Sequence, residues 1–143
     1  MTEPTRSALT EALEEWGAYA QDFKRLPPDR QAAFLQEQGF AALQDLLGHV
    51  IGWWQEGLRL VQGVQADPSF IYDEPDTDEF NAGLVRKHHA MHEGAVLQQF
   101  ENTRRAMIEL VRDLPDDVFS RPLIREWLMA DVIEHLEEHR LPG

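Results

Sequence analysis

The stretch EHLEEH sets His135 and His139 four residues apart, a spacing that presents two imidazoles on one face of a helix. The chain holds six histidines and no cysteine, so a metal site in it would rest on imidazole and carboxylate rather than thiolate. At about 100° per residue, both rings fall inside the arc marked by Ile124, Leu128 and Val132, and so face the core. Asp131 lies at the edge of that arc, where its carboxylate can bond the ring nitrogen of His135 that points away from a metal. A third imidazole is offered by His49, beside Ala42, Trp53 and Leu60 on the border of another apolar stripe. It stands about two turns from the start of its helix, and the pair stands within about two turns of the end of theirs. Antiparallel contact between these helices would bring all three to one level. Three neutral nitrogen ligands leave a further position for water or substrate and suit a divalent ion, zinc or nickel ahead of iron, manganese or copper. The competing reading is that the inward histidines are core residues bonded to carboxylates, since short motifs of this kind also arise by chance.

The other three histidines lie in KHHAMHEG. His88 and His92 are four apart and His89 and His92 three apart, but the segment carries no apolar stripe and runs into Gly94. It reads as a solvated kink that shapes the mouth of a pocket. Glu56 and Glu138 each wheel to within about 40° of the ligand stripe and are candidate general bases; the plainer reading makes them solvated carboxylates.

These residues need helices to position them, and helical periodicity fills the chain. Apolar residues at Leu9, Leu13, Trp16, Ala20, Phe23 and Leu26 predict one amphipathic helix over residues 7–26, stopped by Pro27 and Pro28. A short helix is expected over 29–38, with Asp29 as N-cap and Gly39 at its end. The second long helix spans about 41–64. After a loop rich in acidic residues, a third starts near Asp78, pauses around HHAMHEG and resumes to Pro115. The fourth covers about 122–140 and opens on a proline. No strand and no repeat is evident. Four helices of about 20 residues pack naturally as an all-α four-helix bundle in a single domain, 1–143. The long second connection can cross the bundle and leave helices two and three parallel.

Composition narrows the function classes. At 43% hydrophobic and 27% charged residues, the chain is that of an ordinary water-soluble domain. It has no apolar run of membrane-spanning length and no basic-then-apolar leader in residues 1–20, so a cytoplasmic, membrane-free protein is expected. The formal charge is −13, with 26 acidic against 13 scattered basic residues, which argues against a nucleic-acid partner. Trp53 and Trp54 diverge by about 100° on one helix, so either one faces a helix neighbour and the other a partner subunit, or both fall within a wide buried stripe. A homodimer is the expected state because closed symmetric pairs are common.

Four stretches together resemble the DinB-like family of four-helix-bundle metalloenzymes, in particular its ClbS/DfsB-like branch. They are LLGHVIGWWQEGLRL, DTDEFNAGLV, AVLQQFENTRRAMIELVRDLPDDVF and EWLMADVIEHLEEH. The resemblance implies an up-down-down-up bundle and places the metal ligands at His49, His135 and His139. It also implies a metal-dependent enzyme acting on a small electrophile. Such an enzyme would be a transferase using a low-molecular-weight thiol, or a hydrolase, in detoxification or stress response. The electrophile is expected between the helices, beside Trp53 and Trp127. The alternative is a non-catalytic, dimeric bundle that binds a small molecule or metal.

Overall fold

The computed structural model describes residues 4–142, so the expected domain limits at 1 and 143 lie outside the described residues. Among these there is no strand. The helices are α1 (Arg6–Trp16), α2 (Tyr19–Arg25), α3 (Pro28–Gln38), α4 (Leu43–Ala66), α5 (Thr77–His89), α6 (Glu93–Asp113), α7 (Asp116–Phe119), α8 (Pro122–Leu128) and α9 (His135–Glu138). A π-helical turn, Met129–Glu134, joins α8 to α9. No described helix is long and apolar enough to cross a membrane.

Local chemistry sets most of the boundaries. Thr5 accepts from the Ala8 N–H to open α1, and Asp76 accepts from Glu79 to open α5, each at 3.0 Å. Pro28 and Pro122 occupy first-turn positions, where a missing N–H is harmless. Gly39 ends α3 in the left-handed conformation, at φ 83°. Asp29 is not the N-cap expected of it: Pro27 holds that position and Asp29 lies inside the first turn. The helix expected over 7–26 is broken, because the N–H groups of Gly17 and Ala18 reach back only three residues, to Glu14 and Glu15. Arg104 fills the space beside this tightened turn, its guanidinium carbon 3.0 Å from where a Gly17 Cβ would stand. The short helix α7 has no counterpart among the elements expected from periodicity.

Glycines on α4 then decide what lies against it. Gly48 and Gly52 leave a trough filled by His88 and Leu84 of α5, and Gly57 leaves a notch filled by Trp127 of α8. Gln44 secures the far end of α5, donating to the carbonyls of His88 and Met91 at 2.8 Å each. Residues 44, 48, 52 and 53 of α4 therefore meet 88–91, 88, 84 and 80–81, so α5 runs back along α4. The chain reverses again at residues 90–92, and α6 follows α4: Phe100 stacks on Trp54, and Ala106 and Leu110 lie by Leu58. The expected third helix is thus two helices of opposite direction, and the long connection is itself largely helical.

At the centre, Trp16 of α1 meets Trp54 edge-on and reaches Phe100, with ring centroids 5.6 and 6.1 Å away. Each such aromatic pair adds about 0.5–1.5 kcal/mol beyond area burial. α1 runs against α6, with Leu13 beside Arg104 and Arg6 bonded to the carbonyls of Val111 and Leu114.

The glycine trough makes a prediction. A Cβ on Gly48 would stand 2.2 Å from His88 Cγ and 2.5 Å from its Cβ, and His88 is fully buried with nowhere to swing. Gly48→Ala is expected to destabilise the chain by about 2 kcal/mol, overpacking outweighing the gain in helix propensity. Gly94→Ala, with nothing within 4 Å of its Cβ, should stabilise by about 0.5 kcal/mol. Denaturant unfolding of the two variants should shift the midpoint in opposite directions.

Candidate metal centre

The site is made where α4, α9 and the π turn come together. Two buried tryptophans hold that turn. In it, the His135 N–H reaches back to the Ala130 carbonyl, five residues away, and so is not available to Asp131 O. The Asp131 carbonyl instead accepts from Trp54 Nε1 at 2.8 Å, and the next carbonyl, Val132, accepts from Trp16 Nε1 at 3.1 Å. The wider turn divides the last segment between two faces. Val132 and Leu136 enter the hydrophobic core, while Asp131, His135 and His139 recur at every fourth position toward α4. Periodicity implies a regular helix over 122–140; the π turn shifts the register of His135 and His139 relative to Ile124 and Leu128 and leaves their own four-residue relation intact.

All three histidines expected at the site are brought together. Ligand atoms of His49, His135 and His139 lie within 4.8 Å of one another. Their ring centroids form a near-equilateral triangle with sides of 5.2 Å (His49–His135), 5.5 Å (His49–His139) and 5.5 Å (His135–His139). Phe40 closes one side, its ring 5.7 Å from His49 and 6.3 Å from His139.

Two observations test whether these residues suit an ion. First, His139 Nε2 is buried without a hydrogen-bond partner, an arrangement that costs free energy unless something binds there; His135 Nδ1 also lacks one, but it is the nitrogen on the Asp131 side of the ring. Second, the imidazoles are held neutral. Burial, with His49 and His139 close by, pushes His135 down to about 3; burial, with His49 beside it, pushes His139 down to about 4. His49 is also lowered, mainly by burial, against a hydrogen bond that its ring N–H donates to Asn81, which favours the protonated form. A neutral imidazole is the form that ligates a metal. The donor set fits.

Outer contacts orient the rings. Gln38 of α3 lies 2.7 Å from His139 Nδ1, and the buried Tyr19 hydroxyl donates to the His139 carbonyl. Asn81 of α5 serves His49 and accepts from Trp53 Nε1 at 2.7 Å. Asp131 stands where the sequence placed it, yet its Oδ1 is 3.7 Å from His135 Nδ1, too far for the expected hydrogen bond. Its carboxyl is pushed up to about 7 by burial first, then by the charges of Glu138 and Glu134.

Other expected site residues are engaged elsewhere. Glu56 is held by Arg59 at 2.9 and 3.1 Å and by the Tyr72 hydroxyl at 2.7 Å; the Arg59 bonds lower its pKa, the wrong direction for a base at neutral pH. Glu138 is exposed and contributes its backbone carbonyl to Gln38. Trp127 is lodged at Gly57, and Trp53 meets Phe80 of α5 edge-on, so neither stands open to a substrate between the helices. Trp53 and Trp54 both find partners within the chain.

The second histidine group matches the expected solvated kink in part: the helix breaks at residues 90–92 and His89 and His92 are exposed, but His88 is not. His88 is buried in the glycine trough, with Nδ1 2.8 Å from the Leu84 carbonyl. His89 reaches the fully buried Asp45 carboxylate at 3.0 and 3.2 Å, and His92 precedes α6 at its N-cap position. The Gly48–Gly52 spacing was the available signal for a buried neighbour. Gln38 and Asn81 had none; each reads as a polar residue on a surface helix.

The family model of the DinB superfamily matches residues 2–141. No curated protein and no solved structure matches the chain.

Proposed function

The chain belongs to the DinB superfamily, and from that membership and its converging imidazoles we propose that it is a metal-dependent enzyme acting on a small electrophile. The observation that carries the reading is the His49–His135–His139 triangle, buried, neutral and with nitrogen atoms lacking partners. We take the long segments α1, α4, α6 and α8–α9 as an up-down-down-up bundle, a reading supported by α6 following α4 while α1 and α9 run against them. His49, His135 and His139 would hold one divalent ion, zinc or nickel by the chemistry of three nitrogen donors. When bound there, such an ion supplies Lewis acidity and lowers the pKa of a coordinated water or thiol toward neutrality.

The protein's own residues do the rest. Gln38 and Asn81 fix the outer edges of two rings, Phe40 shields a side of the cluster, and the tryptophan-held π turn sets the third ring in place. The reaction class proposed is transfer of a low-molecular-weight thiol to the electrophile, or its hydrolysis, in a detoxifying role. A binding-only bundle is the second reading. It is favoured by the commitment of Glu56 to Arg59 and Tyr72, which leaves the site without that base.

Metal content decides the first point. Tag-free protein purified without an immobilised-metal column should carry about one divalent ion per chain by mass spectrometry. His49→Ala and His139→Ala should carry none while keeping their helical circular dichroism. Wild type that takes up no zinc or nickel when either is added would remove the reading. Metal-loaded protein that turns over no thiol–electrophile pair would leave the binder.

A further inference from the structure

His139 lies past the last residue of α9, where helices fray, yet only 7% of its surface is exposed. Something outside the helix must hold it. Two contacts do: Tyr19 from α2 grips its carbonyl, and Gln38 from the end of α3 meets its ring.

The Gln38 amide has its orientation set independently. Its Nε2 donates to the Glu138 carbonyl at 3.2 Å, and a carbonyl can only accept. The oxygen Oε1 therefore faces His139 Nδ1 at 2.7 Å, and Nδ1 must carry the proton. In a neutral imidazole the other nitrogen, Nε2, then holds the lone pair. That is the nitrogen buried without a partner.

We propose that Gln38 is a positioning residue for the metal centre: it fixes His139 in the Nδ1–H tautomer and aims Nε2 as the ligand atom. The assignment rests on the metal reading above for its effect on affinity, but its tautomer claim stands without a metal. Gln38 touches neither substrate nor ion. It acts through His139, and it ties α3 to the C-terminal segment so that the ring cannot follow a fraying helix end.

The test has two arms. In metal-free wild type, long-range proton–nitrogen NMR correlations should show His139 as the Nδ1–H tautomer, and in Gln38→Ala as a mixture. In a competition titration against a chromophoric chelator, Gln38→Ala should bind zinc about 10–100-fold more weakly, the usual effect of removing an outer partner of a metal-bound histidine. Gln38→Glu, which keeps an acceptor, should restore affinity to the wild-type level or above. A purely structural role would show in the unfolding midpoint but would not be rescued in affinity by Glu. The Nε2–H tautomer in wild type overturns the proposal, as does wild-type affinity in Gln38→Ala. Wild type that binds no zinc refutes the metal reading instead, and the tautomer measurement still decides whether Gln38 sets the ring.

Discussion

Replacing His135 by Leu is expected to stabilise the metal-free chain by about 1–3 kcal/mol, the desolvation cost of a buried polar atom left unpaired. His135 Nδ1 is such an atom: buried, 3.7 Å from the Asp131 carboxylate, and left with at most a weak contact to the Asp131 carbonyl, which already accepts from Trp54 at 2.8 Å. Leucine suits the volume and leaves nothing unsatisfied. The same change should weaken zinc binding by about 100-fold or more, on the order of a fifth of the free energy of a tight zinc site. Stability and affinity thus move in opposite directions, as expected where a fold retains strain for the sake of a site. Unfolding by denaturant in excess chelator reads the first effect and a competition titration reads the second. A His135→Leu variant less stable than the metal-free parent would mean that the ring is an ordinary satisfied core group, and the case for an ion would go with it.

The triad itself was legible because two independent signals agree. Helical periodicity turns His135 and His139 inward and sets His49 on the edge of a stripe, and family resemblance selects the same three residues. Periodicity also implies a regular helix over 122–140, whereas the observed segment widens into a π turn at Met129–Glu134. The pair still faces His49 because i, i+4 spacing stays on one face in either geometry, with Asp131 one turn before His135. Nothing local in MADVIE announces the wide turn. Its stabilisers, Trp16 and Trp54, are remote in sequence and donate to consecutive carbonyls, a tertiary effect that no window of residues contains. The split of the third helix was half visible. A pause at residues 90–92 is written in the sequence, but the reversal of direction depends on the trough left by Gly48 and Gly52, which only matters once His88 and Leu84 lie in it. Gln38 illustrates the remaining gap. Its role comes from a neighbour 101 positions away, and in sequence it is one more glutamine on a solvated helix.

Acid should destabilise the metal-free protein by about 1.4 kcal/mol per pH unit between pH 6 and 4.5, the slope of one net proton. Unfolded, His135 and His139 titrate near the ordinary histidine value of 6.5, whereas folded they do so only at about 3 and about 4. Each therefore contributes stability that is present above 6.5 and is lost as pH falls toward its folded value. Asp131 works the other way. Its folded pKa of about 7 lies above the unfolded 3.8, so folding keeps a proton that the unfolded chain releases, and its contribution grows as pH falls. Two protons taken up by the histidines on unfolding, less one released by Asp131, leave one. His49, also depressed, can only steepen the slope. Asp131→Asn removes the opposing group and should raise the slope to about two protons, roughly 2.7 kcal/mol per unit. His135→Leu should reduce it, because His139 is then offset by Asp131. Chemical unfolding at a series of pH values in chelator measures all three chains. A slope in Asp131→Asn no steeper than in the parent would show that this carboxyl is ionised in the folded protein, paired with a protonated His135, and the cluster would then be an ion pair in place of a set of free nitrogen donors.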